Sequence, residues 1–359
     1  MKKRARYVLG ISASILCILI IGFVSTVSAK TPTLHAIPLP HGVKKIDRTL
    51  FYPPSKKLFV LGINQDDTYG VWAYGGRIFE KKLILNDAYI NAHFFLDSKN
   101  NIYLNSNRPH RLYRSSDGGE HWDILSEDAY MFWGLADDTH GTLYATTWYE
   151  HAKLYKSTDL GNNWTLVTDF HTIFPEETIR YSTSSEKMSL RHLHDIIVDG
   201  STITLGTGDV TRWTLRSTDG GTTWKQIWDE GFTGHYTDWK KGFAILGADG
   251  KKNDGLAYYD MKKGTVQNTW RPNDHRPWTN YMYSIIKHRN KYYAGIHIEN
   301  NINHEKRSHD VLVSSDGKKW KPFIEFQSTD EFNELNLASD GENRIYMNHG
   351  GQLYWMEVK

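Results

Sequence analysis

The sequence predicts an all-β protein, a β-propeller of seven four-stranded blades, with six blades as the alternative count. Two repeats within the 359 residues support this fold class. One is a short turn motif, and the other is a strand–turn–strand pattern that recurs between its copies. The composition agrees, because 13 Trp and 21 Tyr are typical of a β-rich chain.

The turn motif reads Ser-x-Asp-x-Gly-x-x-Trp. It occurs at 112–122 (LYRSSDGGEHW), 154–164 (LYKSTDLGNNW) and 214–224 (TLRSTDGGTTW), and in a shortened form at 311–320 (VLVSSDGKKW). A set of catalytic residues is rarely repeated four times in one chain, whereas a structural unit often is. An Asp in a tight turn accepts backbone N–H groups, Gly adopts a left-handed conformation, and Trp packs on a neighbouring sheet. We therefore interpret Asp117, Asp159, Asp219 and Asp316 as structural rather than catalytic.

The strand–turn–strand pattern occurs seven times, at 48–64, 92–106, 132–148, 193–208, 235–249, 282–298 and 334–350. Each copy is expected to supply the two inner strands of one blade, with the turn motif joining the third strand to the fourth. The wide gap between the last two motifs spans about two units of ~45 residues, so one blade has lost its motif. The segment TLHAIPLP (33–40) is expected to pair with the C-terminal strand and close the ring.

The four turn motifs resemble the Asp-box (BNR) repeats of the sialidase-like propeller superfamily, and blade periodicity extends the resemblance over most of 45–359. The resemblance implies that the motifs lie on the outer side, away from the ligand. Sialidases also carry an Arg-Ile-Pro motif near the start of the domain. Here Arg48 is followed by Thr and Leu, so sialidase activity is not expected.

Residues 1–29 are expected to be a signal peptide or an N-terminal membrane anchor, and residues 30–359 a single propeller domain. A basic MKKRAR is followed by a long apolar run and by Val-Ser-Ala, the small residues that a signal peptidase prefers. Either alternative places the domain outside the cytoplasm, secreted or at the cell surface. The single cysteine, Cys17, lies in the apolar run, which excludes disulfides and cysteine nucleophiles from the mature domain. A net charge of +2 argues against nucleic-acid binding.

Histidine, arginine, tyrosine and tryptophan concentrate in the loops that a propeller places around its axis, opposite the turn motifs. All 17 histidines lie outside the leader. Arg forks bind carboxylates, aromatic faces stack on sugar rings, and His transfers protons near neutral pH. We expect the ligand to be a glycan, and an acidic glycan fits these residue types best. The candidate substrate-binding residues are Arg108, His110, Trp148, His151, His235, Trp278, His297, Glu299 and His349.

The sharpest catalytic hypothesis is a polysaccharide lyase. His192 and His194 in RHLHD share one face of a strand. His194 would act as base, Tyr236 or Tyr281 as acid, and Arg212 or Arg276 as the clamp on a uronate carboxylate. A glycosidase would instead use paired carboxylates, for which the candidates are Asp195, Asp209, Glu299 and Glu334.

Three further questions stay open at the level of sequence. A propeller that only binds a glycan, or that helps to assemble another protein, is the alternative to an enzyme. No cofactor is required by the sequence, although a divalent metal could bind the histidine pair together with His235 or His297. Oligomeric state is not encoded in any motif.

Overall fold

A computed structural model describes residues 32–358, except for 86–92, 108–109, 128–131, 149–151, 176–189, 209–210, 250–254, 272–279, 299–306 and 329–334. For residues 107, 126–127, 280–283, 297–298, 307–310 and 327–328 it describes the backbone alone. Within these ranges the chain forms 28 strands, one four-residue α-helix, α1 (Phe170–Ile173), and one 3₁₀ turn (Pro53–Ser55). No helix in this part of the chain is long and apolar enough to cross a membrane.

The strands form seven four-stranded antiparallel sheets, each a blade of a β-propeller. The first strand, β1 (Leu34–Ile37), belongs to the last blade. The blades that follow it contain, in order, β2 (Val43–Tyr52), β3 (Lys57–Asn64), β4 (Tyr69–Tyr74) and β5 (Phe79–Leu85); β6 (Phe94–Leu96), β7 (Ile102–Asn107), β8 (His110–Ser115) and β9 (Asp123–Glu127); and β10 (Phe132–Asp137), β11 (Leu143–Thr147), β12 (Lys153–Ser157) and β13 (Thr165–Asp169).

Blade 4 contains β14 (Leu193–Asp199), β15 (Thr202–Thr207), β16 (Thr214–Ser217) and β17 (Lys225–Trp228). Blade 5 contains β18 (Phe232–Asp238), β19 (Phe243–Ala248), β20 (Leu256–Asp260) and β21 (Thr265–Trp270). Blade 6 contains β22 (Asn280–His288), β23 (Lys291–Ile298), β24 (Arg307–Ser314) and β25 (Lys321–Ser328). Blade 7 contains β26 (Asn336–Ser339), β27 (Arg344–His349), β28 (Gln352–Glu357) and β1.

The ring closes where the two ends of the described chain meet. β1 pairs antiparallel with β28, with Leu34 opposite Met356 and Ile37 opposite Leu353. All four partners point their apolar side chains into clusters shared with a neighbouring blade. Closure removes the open sheet edges that a linear array of blades would expose.

The core lies between the blades rather than within any one of them. Seven apolar clusters among the described residues each join two neighbouring blades. One example joins Tyr103 and Leu112 of blade 2 to Phe132 and Tyr155 of blade 3. A sheet has two apolar faces in this arrangement, which explains why the inner strands read as almost continuous apolar runs.

The four turn motifs, called the signature turns below, connect the third strand to the fourth in blades 2, 3, 4 and 6. In each, the Ser hydroxyl donates to the Asp carboxylate and accepts the N–H of the Gly; in the turn of blade 3 these distances are 2.7 and 2.8 Å. The same pair of bonds recurs at Ser115, Ser217 and Ser314. The Asp carboxylate also accepts backbone N–H groups two to four residues onward.

Each signature turn also packs on the blade before it. A Cβ placed on Gly119 would meet the ring of Phe59, and one on Gly161 would meet Leu125. A Cβ on Gly221 would likewise meet Val167, and one on Gly317 would meet Ile245. The turns are therefore inter-blade contacts as well as local turns.

The fold class predicted from the sequence is confirmed, with seven blades rather than six. Each of the seven predicted hairpins supplies the two inner strands of a blade, and 33–40 contributes the closing strand. The blade that lost its motif is blade 5, where an Asp260–Gly264 turn takes its place.

Candidate functional site

The innermost strands surround a central cavity of about 510 Å³. The first strand of every blade contributes to its walls, for example through Leu50, Phe94, Trp133, Asp195, His235, Ser284 and Leu337. The start of a first strand and the end of a second strand lie at one end of this cavity, because strands within a blade are antiparallel. The signature turns follow third strands and lie at the other end.

Aromatic and imidazole rings crowd together at the end opposite the signature turns. This aromatic–histidine cluster consists of His93, Trp133, Trp148, His192 and His194, contributed by blades 2, 3 and 4. Trp133 stacks on His194 with ring centroids 5.1 Å apart and lies 5.6 Å from Trp148 and 5.0 Å from His93. Trp148 in turn lies 6.1 Å from His192.

Two glycines allow the cluster to form. A Cβ on Gly208, which follows β15, would clash with the rings of both His192 and His194. A Cβ on Gly134 would lie 2.9 Å from the carbonyl oxygen of His194 and 3.1 Å from the Cα of Asp195. Blades 3 and 4 can approach closely at the axis because both positions lack side chains.

His192 and His194 are buried and share a hydrogen bond. They are only 3% and 4% exposed, and their Nε2 atoms lie 2.7 Å apart. One ring must donate and the other accept, so the pair cannot carry a proton on both Nε2 atoms. Burial, with the nearby charges of Arg191 and Arg212, lowers the pKa of His192 to about 3. At neutral pH the His192 ring is therefore uncharged.

His93 is also kept neutral. Burial, assisted by the positive charge of Arg48 and by His194, lowers the pKa of His93 to about 3. Its Nε2 is shielded from solvent and makes no hydrogen bond within the part of the chain that the structure describes. Arg48 itself is 7% exposed and lies beside Asp47, at 3.8 Å.

Arg212 forms a buried ion pair that links blades 4 and 5. Its Nε lies 3.1 Å from Oδ2 of Asp249, which follows β19, and both side chains are almost fully buried. The same carboxylate oxygen lies 3.6 Å from Nδ1 of His194. Asp249 therefore neutralises Arg212 and abuts the histidine pair, so this arginine brings little uncompensated positive charge to the cavity.

A second polar pair lines the cavity itself. Nδ1 of His235, on β18, lies 2.6 Å from Oδ2 of Asp195, on β14, and both side chains are about one-fifth exposed. This hydrogen bond to the carboxylate holds the imidazole ring in place, and Nε2 is the ring nitrogen that does not bond to Asp195. A carboxylate–imidazole pair that faces a cavity is an arrangement suited to accepting a proton.

Tyr236 is adjacent to His235 in sequence but packs differently. Its ring lies 5.7 Å from that of Tyr292, between blades 5 and 6. Burial, with the charge of Asp238 and with Tyr292, raises the pKa of Tyr236 to about 12. The phenol therefore stays protonated at neutral pH, and its ring belongs to the blade 5–6 joint rather than to the aromatic–histidine cluster.

The remaining sequence candidates separate into two groups. His110 is exposed at the start of β8, and His349 stacks on Phe326 with centroids 4.2 Å apart. Arg108, His151, Asp209, Arg276, Trp278, Glu299 and Glu334 lie outside the described residues, as do the side chains of Tyr281 and His297.

The histidine pair does not have the spacing of two ligands of one metal. Two nitrogens bound to a tetrahedral zinc stand about 3.3 Å apart, whereas the Nε2 atoms of His192 and His194 are at hydrogen-bond distance. His235 points to Asp195 instead of joining them. Within the described ranges no three His, Cys, Asp or Glu side chains are grouped to hold a metal.

The sequence interpretation did not include His93, Trp133 or Asp249 among the site residues. Each lies at the start of a first strand or just after a second strand, the two positions that face this end of the cavity. Aligning the seven hairpins would have placed Trp133 level with His194 and Asp249 level with Gly208. Their contacts cross between blades, and no local motif marks them.

Comparison with known proteins extends the fold assignment. Neither a protein-family model nor a curated protein matches the chain. Among solved structures, the chain is similar to the GH74 xyloglucanase from Xanthomonas campestris, at 13% identity and a TM-score of 0.62, over 90% of this chain and 53% of that one.

Two further structures show the range of proteins with this fold. YCF48 from Cyanidioschyzon merolae is similar at 12% identity and a TM-score of 0.57, over 90% of this chain and 98% of that one. The extracellular domain of BT4673, a putative hybrid two-component system from B. thetaiotaomicron, is similar at 13% identity and a TM-score of 0.61. That likeness covers 91% of this chain but 40% of the BT4673 chain. At such identities the likeness is one of fold.

Proposed function

We propose that the chain is an extracytoplasmic propeller that binds a glycan in its central cavity, at the end opposite the signature turns. The observation that carries the proposal is Trp133. It is half-buried, lines the cavity, and is held in place by Trp148 and His194. A fixed indole face beside polar groups is suited to stacking on the apolar C–H face of a sugar ring.

Polar groups for the sugar hydroxyls lie within the same cavity. The His235–Asp195 pair contributes an imidazole and a carboxylate. Thr237 lies two residues along the same face of β18 and also lines the cavity.

Arginines at this end of the cavity bear on the charge of the glycan. Arg48 and Arg212 each lie beside an aspartate, and Arg191 directly precedes His192. The sequence candidates Arg108 and Arg276 would bind the carboxylate of an acidic glycan. The xyloglucanase of the same fold acts on a glycan, according to its name, which is a precedent for the scaffold.

The binding proposal is tested with the full chain and a panel of acidic and neutral oligosaccharides. For an oligosaccharide that binds, Trp133→Ala should weaken affinity about tenfold or more, by loss of ring stacking. Trp239→Ala is the matched control, because Trp239 is 50% exposed and lies beyond β18, at the end of the cavity near the signature turns. Equal losses in the two variants, or no binding by any member of the panel, would contradict the proposal.

The His235–Asp195 pair favours a second candidate, a glycan-cleaving enzyme. In this version His235 replaces His194 as the base, because His194 shares its Nε2 with His192 and turns Nδ1 towards Asp249. Mass spectrometry of the incubated glycans would distinguish the two reactions. Unsaturated products indicate a lyase, and hydrolysis products, heavier by one water, indicate a glycosidase. His235→Gln should abolish cleavage and weaken binding less than Trp133→Ala does, and intact glycans throughout would leave the non-catalytic function as the better account.

The location is proposed from the sequence, with residues 1–29 as a signal peptide or anchor and 30–359 as the domain. Mass spectrometry of the N-terminus of the exported protein tests it. A mature chain that begins at Lys30 indicates cleavage, and an intact N-terminus in the membrane fraction indicates an anchor. Retention of the protein in the cytoplasm would refute both.

A further inference from the structure

Three neighbouring turns in blades 5 and 6 each contain two consecutive lysines. The first turn joins β18 to β19, the second joins β20 to β21, and the third is the signature turn of blade 6. All three lie at the end of the propeller that carries the signature turns, because the strands of a blade are antiparallel. The six lysines are exposed and are called the lysine strip here: Lys240, Lys241, Lys262, Lys263, Lys318 and Lys319.

Contacts between the turns make the lysine strip continuous. A Cβ on Gly242, next to Lys241, would lie 3.4 Å from the side chain of Lys262. A Cβ on Gly317, in the signature turn, would lie 3.3 Å from the ring of Phe243. Nζ of Lys241 lies 5.9 Å from the centroid of that same ring. The six ammonium groups therefore belong to one surface, which crosses the joint between blades 5 and 6.

Aromatic rings beneath the strip hold two of its lysines in place. Nζ of Lys318 lies 4.1 Å from the centroid of the Tyr258 ring. Nζ of Lys241 donates a hydrogen bond to the Tyr292 hydroxyl, at 3.0 Å. These contacts order the ammonium groups without neutralising them, because the rings carry no charge.

The carboxylates of the same turns neutralise little of this charge. Asp238 is 4% exposed and is paired with Lys287, at 2.9 Å, beneath the surface. The Asp316 carboxylate accepts two backbone N–H groups of its own turn. Among the described residues, Lys263 is the only member of the strip with an ion pair, at 3.4 Å from Asp260. The strip is therefore a positively charged surface that attracts anions.

The other blades limit the width of this surface. The corresponding turns of blades 2, 3 and 4 contain one lysine, Lys99, and no arginine. Their acidic residues are Asp97, Asp117, Glu120, Asp138, Asp159 and Asp219. The net charge of +2 thus conceals a basic and an acidic part at one end of the propeller. A broad anionic surface, such as a bilayer, would face both parts, whereas a narrow polymer can lie along blades 5 and 6 alone.

We propose that the lysine strip binds a linear acidic polysaccharide across the joint between blades 5 and 6. Ammonium groups on flexible stems act as point charges, so they pair with the repeated carboxylates of a polymer in many orientations. The choice of a polysaccharide over other linear polyanions rests on the extracytoplasmic location proposed above. The strip lies at the opposite end of the propeller from the aromatic–histidine cluster, so it is a separate site from the proposed glycan cavity.

The probe is polygalacturonate, a linear polymer with one carboxylate on every sugar, labelled at its reducing end. It is titrated with the exported protein and followed by fluorescence anisotropy. Saturable binding is expected, and it should weaken about tenfold or more between about 50 mM and about 300 mM NaCl, because salt screens exposed charges. The double variant Lys262→Glu, Lys319→Glu should bind about tenfold or more weakly at low salt, since it reverses two charges of the strip.

The matched control is the double variant Lys81→Glu, Lys156→Glu. Both lysines are exposed, on β5 of blade 1 and β12 of blade 3, and the change in net charge is the same. This control should stay within about twofold of the parent, because the reversed charges lie away from the strip. Circular dichroism of each variant confirms that folded proteins are compared. Equal losses in the two double variants would show that net charge attracts the polymer, and the assignment of the strip would be wrong.

Trp133→Ala separates this site from the central cavity. It should leave the salt-dependent binding of the polymer within about threefold of the parent, although it weakens oligosaccharide binding in the cavity. If Trp133→Ala abolished polymer binding and the strip variant did not, the polymer would bind in the cavity and the strip would have no role. Tighter binding of single-stranded DNA, or of vesicles with anionic lipid, than of polygalacturonate would overturn the choice of ligand.

Discussion

At the scale of single residues, the site depends on positions without a side chain as much as on the histidines. Gly208 is the clearest example, because a Cβ at this position would clash with the rings of both His192 and His194. The rings are held in turn by Trp133 and Trp148. Because the two histidine rings are packed against these tryptophans, the methyl group of an alanine at position 208 would have to displace the whole cluster.

Gly208→Ala should therefore destabilise the protein by about 1–3 kcal/mol, as overpacked cores do. The measurement is chemical denaturation followed by tryptophan fluorescence. Gly75→Ala is the control, because nothing lies within 4 Å of a Cβ at Gly75 and its backbone is not left-handed. That variant should be within about 0.5 kcal/mol of the parent or slightly more stable. Equal stability of the two variants would show that the histidine rings can move aside.

The histidine pair also shows what sequence can and cannot reveal about a site. His192 and His194 could be placed on one face because residues two apart share a strand face. Their partners could not be found in this way, because Trp133, His93 and Asp249 come from three other blades. Burial likewise depends on the assembled ring. The sequence suggested His194 as a proton acceptor, whereas the folded chain encloses it and leaves His235 at the cavity.

At the scale of an element, each signature turn combines backbone strain with inter-blade packing, and two adjacent glycines separate the effects. Gly220 and Gly221 both have positive φ, at 73° and 95°. A Cβ on Gly220 would meet nothing within 4 Å, whereas one on Gly221 would lie 2.5 Å from Val167. Gly220→Ala should cost about 1–2 kcal/mol from strain alone.

Gly221→Ala should cost more, about 2–4 kcal/mol, because the clash with blade 3 adds to the strain. Thermal or urea unfolding of the two variants measures the difference, which isolates the packing contribution. If the two variants were equally destabilised, the turns would act as local turns only, and the inter-blade role assigned to them here would be wrong.

The signature turns also give the protein a defined acid sensitivity. Hydrogen bonds lower the pKa of Asp117, Asp159 and Asp219 to about 2, chiefly from the His121 backbone, the Asn163 side chain and the Thr223 side chain respectively. The ordinary value is 3.8. Because the folded-state pKa is depressed, the carboxylates stabilise the fold fully above about pH 4. That contribution is lost as the pH falls through 2.

The test is the melting temperature of the parent and of the triple variant Asp117→Asn, Asp159→Asn, Asp219→Asn between pH 6 and pH 2. The triple variant should melt at a lower temperature at pH 6, and the difference should shrink below pH 4 as the parent carboxylates protonate. A difference that stays constant across this range would exclude the carboxylate charge as the cause.

At the scale of the whole molecule, the architecture could be predicted from sequence because the hairpin pattern recurs seven times and the turn motif four times. Period-2 alternation marks the hairpins, and the turn motif marks where a third strand ends. Even the closing strand could be inferred, since one strand was left over at the end of the chain. Blade joints could not be predicted residue by residue, because a contact such as Gly119 with Phe59 depends on the twist between sheets.

Ring closure is the property that belongs to the molecule as a whole, and Ile37 tests it. Ile37 on β1 is 3% exposed and packs in the cluster that joins blades 7 and 1. His35, on the same strand, is exposed and stacks on Trp355 at 4.3 Å. Ile37→Asp buries an unpaired carboxylate at the joint, so it should cost about 3 kcal/mol or more. His35→Asp should cost less than about 1 kcal/mol.

The shape of the unfolding transition tests whether the blades depend on ring closure for their stability. Each apolar cluster is shared by two blades, so loosening one joint removes support from both neighbours and then from the ring. Ile37→Asp should therefore lower the midpoint of a single unfolding transition, with tryptophan fluorescence and far-UV circular dichroism coinciding. A separate early transition, with blade 7 melting while the rest of the protein stays folded, would mean that the blades are stabilised independently and that closure contributes little beyond its local contacts.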